Sequence, residues 1–176
     1  WLAWDRDTDT IHVYDAYRVR EQTPVVHAAA IKARGAWIPV AWPHDGLQHD
    51  VGSGAMIAKQ YREHGVNMMR HKSTHAPEKG KKEGTGGFGV EAGVLDMLAR
   101  MQTGRFKVAY HLNDWFEEFR LYHRQDGLIV KKGDDLMSAT RLACMMLRFA
   151  KTKRVEEDAP ILDAFQPSDR SMGVLG

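Results

Sequence analysis

Three aspartates lie where carboxylates could hold metal ions. Asp45 follows a short apolar run at 37–42, and Asp134 and Asp135 are neighbours further along the chain. Carboxylate oxygens are the ligands that hard divalent cations prefer. Two such cations about 4 Å apart stabilise both the attacking and the leaving oxygen when a phosphodiester is hydrolysed. If the fold brings these acids together, the sequence carries ligands for metal-dependent phosphodiester hydrolysis.

Each acid also has a purely structural explanation. An aspartate between Pro-His and Gly, as at Asp45, is a common turn residue, and aspartate at a helix start is a common cap. A cap uses only one side chain, and a second adjacent carboxylate is repelled unless a cation lies nearby. The pair of Asp134 and Asp135 therefore favours metal binding, whereas Asp45 alone is compatible with both explanations.

The elements that must position these acids alternate between strands and helices. The run at 37–42 is halted by turn residues and is predicted to be a buried strand that ends just before Asp45, and the acidic pair opens a long helix that continues to about Phe149. Further predicted strands lie at 1–5, 11–18, 66–69, 106–109 and 128–130, and further helices at 24–34, 54–64, 90–102 and 114–122. The strands at 1–5 and 11–18 form a hairpin around an Asp-rich turn. This alternation predicts an α/β domain with a central sheet flanked by helices.

Composition excludes several classes of protein. The chain has 176 residues, a formal net charge of +2 and one cysteine, Cys144, in an apolar helical run. A single cysteine excludes a disulfide framework and a cysteine zinc site, and no apolar run approaches the ~20 residues of a membrane span. The chain begins in mid-pattern without an initiator Met or signal peptide, so we expect a piece of a longer protein. We predict one domain at 1–150 and a tail at 151–176 that docks a partner or is disordered.

Basic residues cluster in three places, which suggests contact with a polyanion. The clusters are Arg70, His71 and Lys72, then Lys79, Lys81 and Lys82, and finally Lys131 and Lys132. The second cluster belongs to a Lys/Gly-rich stretch at 78–87, which is predicted to be a mobile loop able to touch DNA. Solvated loops are an equally good explanation for each cluster taken alone. The glycines of this stretch lack the order of a phosphate-binding loop, so ATP hydrolysis is not expected here.

Other conspicuous side chains are predicted to be structural. Glu117 and Glu118 lie within a helix and are predicted to form structural or inter-domain salt bridges. His44 could orient Asp45 or a metal-bound water, although a lone loop histidine is more often simply exposed. The tryptophans Trp4, Trp37, Trp42 and Trp115 are predicted to lie in the core.

The order and spacing of these segments resemble the C-terminal nuclease domain of large terminase subunits of tailed phages, closest to short-tailed phages that package by headfuls. Residues 133–143 are similar to the last acidic motif of that family, in which Asp-Asp opens a helix. Residues 104–108 followed by 115–122 are similar to the strand and helix that precede this motif. The match covers about 1–150 and implies a ribonuclease H-like fold with a central mixed sheet, here apparently without its first strand.

The resemblance also implies a metal site. The second metal-binding acid of the family falls on Asp45 and the third on Asp135, with Asp134 beside it as an additional or alternative ligand. The first acid would lie on a strand before Trp1. The implied cofactors are two Mg²⁺ or Mn²⁺ ions, and the implied DNA contacts include Arg70, His71, Lys72, Lys79, Lys81 and Lys82.

A function and its partners follow from the same resemblance. We expect an endonuclease that cuts concatemeric double-stranded DNA at the start and end of headful packaging. Expected partners are this DNA, the terminase small subunit, the portal and procapsid, and an ATPase domain on the same full-length chain. We expect the protein in the host cytoplasm at the assembling procapsid, without a membrane and not in the mature virion. The alternatives are another ribonuclease H-like DNA enzyme, such as a transposase or resolvase, and a non-catalytic module that docks the portal or small subunit.

Overall fold

A mixed three-stranded sheet lies at the centre of the fold. The computed structural model of the protein describes residues 1–48 and 56–152. Strands β1 (Leu2–Asp5) and β2 (Thr10–Val13) form an antiparallel hairpin, and β3 (Phe106–Val108) pairs in parallel with β2, which gives the order β1-β2-β3. The predicted hairpin and the predicted mixed sheet are both confirmed.

Helices surround this sheet in the predicted order. They are α1 (Pro24–Ala33), α2 (Ile57–Glu63), α3 (Val90–Gln102), α4 (Asn113–Leu121) and α5 (Asp135–Met145), with 3-10 turns at His44–Leu47 and Leu147–Phe149. Helix α3 has the predicted bounds and ends just before Gly104, which adopts φ 70°. Helix α5 is shorter than predicted because the chain tightens into the second 3-10 turn after Met145.

The core forms where α3, α4 and α5 pack on the sheet. Its buried members are Ile11, Val13, Met97, Phe106, Leu112, Trp115, Leu136, Met137, Cys144 and Leu147. The Trp115 ring stacks between Phe106 and Phe119 and donates its indole N–H to the Thr140 hydroxyl on α5 at 2.9 Å. Because a buried indole needs a hydrogen-bond acceptor, this bond fixes α4 against α5.

The predicted strands at 37–42 and 66–69 are wrong. Their backbones pair only at an isolated parallel bridge between Val40 and Met68, in which the Val40 N–H donates to the Asn67 carbonyl at 2.8 Å and the Met69 N–H donates to the Val40 carbonyl at 3.0 Å. Two side-chain hydrogen bonds also join the segments, from Trp42 to the Met69 carbonyl at 2.7 Å and from Asn67 to the Trp37 carbonyl at 2.9 Å. Pro39 has no N–H to donate and interrupts any longer ladder. Trp37 is 42 % exposed and therefore not a core residue, whereas Trp42 is buried as predicted and Trp4 is half-buried against the core.

Two smaller differences from the predicted elements remain. Strand β2 stops at Val13 rather than at residue 18, and a short strand that was not predicted, β4 (Arg124–Gln125), pairs with β5 (Leu128–Ile129). The predicted tail lies outside the described residues from 153 onward, so the domain boundaries stay a prediction. No described helix is long and apolar enough to cross a membrane.

Candidate metal centre and nucleic-acid cleft

Asp45 lies on an exposed turn that is tightly packed from behind. It belongs to the 3-10 turn His44–Leu47, whose Gly46 is buried. A Cβ at Gly46 would lie 2.7 Å from Cε3 of Trp42, so only glycine fits there. The Asp45 side chain points into solvent, and within the described residues no hydrogen bond or ion pair reaches its carboxylate. The turn therefore presents a carboxylate that no described donor engages.

The neighbouring His44 fastens this turn to a later segment of the chain. Lys72 Nζ lies 2.7 Å from His44 Nδ1, and the His44 ring stacks on Phe88 at a centroid distance of 5.8 Å. The Lys72 ammonium also lies 4.9 Å from the Phe88 ring centroid. Because an ammonium can only donate, Nδ1 of His44 accepts, and the neutral imidazole carries its proton on Nε2. Lys72 is thus half-buried and engaged beside Asp45, unlike the other predicted DNA contacts.

The first turn of α5 is capped by a carboxylate from α4. Glu118 is 2 % exposed, and its Oε2 accepts the backbone N–H groups of Leu136 at 2.6 Å and Met137 at 3.1 Å. Its Oε1 accepts from Nη1 of Arg18 at 2.5 Å, and this hydrogen bond raises the pKa of the Arg18 guanidinium. Glu118 therefore satisfies donors that a helix start leaves open, and its predicted structural role is confirmed.

Asp134 and Asp135 are consequently not needed as caps. Neither carboxylate bonds an open backbone N–H of the first turn. The Asp134 carboxylate accepts from the Ser138 hydroxyl at 2.9 Å, whereas the Asp135 side chain is 59 % exposed and its Oδ2 lies 3.8 Å from Nη2 of Arg20. Of the two acids, Asp135 is the more available ligand.

Asp135 forms one wall of a cleft that sequence reasoning missed. This arginine cleft has a volume of about 480 Å³ and is lined by Tyr17, Arg18, Val19, Arg20, His27 and Asp135. Its two arginines come from the segment after β2, and His27 comes from α1. The alternation of Arg18 and Arg20 in the segment that follows β2 was the signal in the sequence that could have indicated it.

The described contacts unite only part of the predicted site. Asp134 and Asp135 lie together at the head of α5, while no described hydrogen bond or ion pair links Asp45 to them. Across residues 1–48 and 56–152, three His, Cys, Asp or Glu side chains are nowhere gathered in a metal-binding group. Exposed carboxylates still suit a hard cation that keeps part of its water shell. The metal role of the three acids stays a prediction.

Comparison with known proteins identifies the family. The model of the terminase RNaseH-like domain matches residues 1–147. The chain belongs to this family. It is 42 % identical over 154 residues to the terminase large subunit of Salmonella phage P22, and 41 % identical over 146 residues to that of Enterobacteria phage LP7. These matches cover 87 % and 82 % of this chain but 29 % of each relative, so the chain spans less than a third of their length.

A solved structure agrees with this assignment. The nuclease domain of the P22 large terminase matches with a TM-score of 0.74 at 41 % identity, over 85 % of this chain and 74 % of that one. The ribonuclease H-like fold and the resemblance to large terminase subunits are thereby confirmed. The chain corresponds to the nuclease domain of such a subunit.

Asp5 and Asp9 of the β1–β2 turn accept hydrogen bonds from other residues of this terminase domain. Asp5 accepts the Thr8 hydroxyl at 2.7 Å, and Asp9 accepts from Arg100 at 2.9 Å and from Arg105 at 2.6 Å. The Thr8 hydrogen bond lowers the pKa of Asp5, and the Arg100 hydrogen bond lowers that of Asp9. Carboxylates with so many internal donors are poor metal ligands.

The Lys/Gly-rich loop of the terminase domain is fastened at its base. The His75 N–H bonds the Gly87 carbonyl at 2.7 Å, and the Arg148 guanidinium bonds Glu83 at 2.6 Å and the Thr74 carbonyl at 3.2 Å. The predicted mobile loop thus has a fixed stem. Arg70, His71, Lys79, Lys81 and Lys82 are exposed. Their contact with DNA stays a prediction.

Proposed function

We propose that this domain is a metal-dependent endonuclease that cuts double-stranded DNA during viral genome packaging. The observation that carries the proposal is the exposed carboxylate of Asp135 at the start of α5. Because Glu118 caps this helix, the exposed carboxylate of Asp135 has no structural task there. The similarity of the chain to a terminase nuclease domain supports a role for this carboxylate in phosphodiester hydrolysis.

In the proposed reaction, Asp45 and Asp135 would hold Mg²⁺ or Mn²⁺, two ions in all, with Asp134 as an additional ligand. When bound, such ions polarise the phosphoryl oxygen and lower the pKa of a water molecule that attacks it. The Ser138 hydroxyl bond restrains Asp134, which supports Asp135 as the stronger ligand. His44 beside Asp45 would keep its turn in place through Lys72 and Phe88.

The proposed substrate is concatemeric DNA cut at the start and end of headful packaging. Affinity would come from phosphate contacts, whose strength falls steeply with salt and carries little sequence preference. The proposed donors of these contacts are Arg70, His71, Lys72, Lys79, Lys81 and Lys82. The proposed partners are the terminase small subunit, the portal and procapsid, and an ATPase domain on the same full-length chain, in the host cytoplasm.

Plasmid cleavage tests the proposal. Supercoiled plasmid is incubated with Mn²⁺, with Mg²⁺ and with excess chelator. The chain is compared with a version extended at its N-terminus to supply the acid that the family resemblance places before Trp1. We expect metal-dependent nicking and linearisation, strongest in the extended version. Absence of cutting with either metal by both proteins would contradict the proposal and favour the docking module.

Substitution of the acids then tests the site itself. Asp45→Asn and Asp135→Asn should each lower the cleavage rate at least ~100-fold, because even outer partners of metal ligands are worth 10- to 100-fold. Asp126→Asn is the matched control, since Asp126 is an exposed acid in the β4–β5 turn with a positive φ that asparagine also adopts. Normal cutting by both site variants would show that the metal-site assignment is wrong.

A further inference from the structure

We infer that the arginine cleft binds a phosphate of the DNA strand next to the cleavage point, and that Arg20 is the cation that moves onto it. This inference rests on the proposed function and adds a substrate-binding element outside the predicted basic clusters. It depends on a difference between the two arginines of the cleft: Arg18 is held firmly by carboxylates, and Arg20 is held weakly.

Arg18 is already neutralised and fixed. It donates to the buried Glu118 at 2.5 Å and lies 3.9 Å from Asp114. Its side chain is only 27 % exposed. A guanidinium held this way forms a rigid wall of the cleft but cannot move to a ligand.

Arg20 is held only weakly. Its side chain is 77 % exposed, and its one described ion pair is the 3.8 Å contact with Asp135. Exposed pairs of this kind contribute about 0 to 1 kcal/mol, because water competes for both charges. A divalent cation on Asp135 would compete for the same carboxylate and would repel the guanidinium. Cation binding at Asp135 would therefore leave the Arg20 guanidinium free to pair with a substrate phosphate.

The remaining walls suit a phosphate. The Tyr17 ring meets the edge of His27 at 5.7 Å and carries Arg34 on its face at 5.3 Å. Arg34 is itself held by Asp15 at 2.5 Å, so this side of the cleft is preorganised. A guanidinium presents two parallel N–H donors that match two phosphate oxygens, and an imidazole N–H adds a third donor. Apart from Asp135, the lining contains no carboxylate that would repel the ligand.

The test is the salt dependence of DNA binding rather than activity. A fluorescent duplex is titrated by anisotropy between 50 and 200 mM salt, with Ca²⁺ as the cation and, separately, with chelator. Each phosphate contact contributes about −0.9 to the slope of log K against log salt. We expect Arg20→Gln to make the slope in Ca²⁺ less steep by about 1 and to leave the slope in chelator unchanged.

The matched control is Arg124→Gln. Arg124 is 49 % exposed and pairs with Glu91. The Arg124→Gln substitution therefore removes one positive charge from a surface ion pair outside the cleft. We expect it to retain the wild-type slope. Arg20→Lys keeps the charge without the two-pronged donor, so it should keep the wild-type slope and bind the duplex more weakly than the wild type. Equal slopes for Arg20→Gln and wild type in Ca²⁺ would overturn the inference.

The outcomes separate this inference from the proposed nuclease. If the wild type cuts plasmid but Arg20→Gln keeps the full slope, the cleft assignment fails alone. If Arg20→Gln loses slope but the wild type never cuts, the nuclease proposal fails and the phosphate cleft stands. If the wild type does not bind DNA at all, both are wrong.

Discussion

The β1–β2 turn and the head of α5 are both rich in aspartate, yet their carboxylates differ completely in what surrounds them. In the turn, Asp5 and Asp9 accept hydrogen bonds from hydroxyl, backbone and guanidinium donors of the domain itself. At α5, the donors of the helix start are taken by Glu118, and Asp135 keeps only a loose contact with Arg20.

This difference teaches how to separate structural from functional acids. An acid with several internal donors stabilises its own loop, and replacing it should cost stability. An exposed acid at a rigid position that accepts no such hydrogen bonds is available to bind a ligand. The comparison therefore predicts opposite consequences for substitutions in the two regions.

Glu118 should have the largest effect on folding. Glu118→Ala uncaps α5 and leaves the half-buried Arg18 with only its 3.9 Å contact to Asp114, so we expect the free energy of unfolding to fall by about 2 to 3 kcal/mol. Urea denaturation measures this loss. Glu117→Ala is the control, because Glu117 is its exposed neighbour, and it should change the value by less than about 0.5 kcal/mol. Similar values for both variants would refute the capping role.

The thiol of Cys144 offers an independent measure of the same loss. Burial raises the pKa of this thiol to about 12, so in the native protein it is neither accessible nor ionised. We expect thiol reagents to label it only when α5 opens. Labelling of Glu118→Ala should therefore be much faster than that of the wild type under native conditions.

Asp9 should have a smaller, pH-dependent effect. Because its folded-state pKa is lowered, its contribution is complete above the unfolded-state value of about 4 and is lost as pH falls through the folded-state pKa. Asp9→Asn should cost about 1 kcal/mol at neutral pH, after allowance for solvent screening. Its stability should also fall less steeply than that of the wild type in acid. An unchanged acid profile would contradict the role of Arg100 and Arg105.

Asp135 should have the smallest effect on folding. Removing its charge loses a favourable interaction with the helix dipole but also relieves repulsion from Asp134. We expect Asp135→Asn to change the free energy of unfolding by less than about 0.5 kcal/mol. A loss as large as that of Glu118→Ala would show that Asp135 is structural and would remove the distinction drawn above.

Much of the fold was predictable because its signals are local. The hairpin, α1, α3, β3, α4 and α5 were predicted within a few residues from apolar periodicity and from turn residues such as Gly104. The predicted strand at 37–42 failed because an apolar run can also pack around a proline, and Pro39 limits the segment to one bridge. The sequence pattern shows that a segment is apolar, but it does not show whether the segment can form backbone hydrogen bonds with a neighbouring strand.

The site was less predictable because its decisive contacts are long-range. Glu118 reaches α5 from 18 residues away, and the Arg18 that pairs with it lies 100 residues earlier. No local pattern relates these positions, so the cap could not be predicted. The arginine cleft was missed for the same reason, because α5 brings Asp135 to a segment more than a hundred residues upstream.

The single bridge between Val40 and Met68 has a mechanical consequence for the proposed metal centre. Asp135 is stiffly mounted, since Glu118 and the Thr140 hydroxyl tie its helix to α4. Asp45 lies on a turn held by side-chain contacts at His44 and Gly46, and the segment before it has a single backbone bridge to its neighbour. Asp45 is therefore the more compliant of the two. Oxygen ligands lie at about 2.0 to 2.1 Å from Mg²⁺ and about 2.3 to 2.6 Å from Ca²⁺. The Asp45 side would move to accommodate this difference in ligand distance, whereas Asp135 would fix the position of the ion.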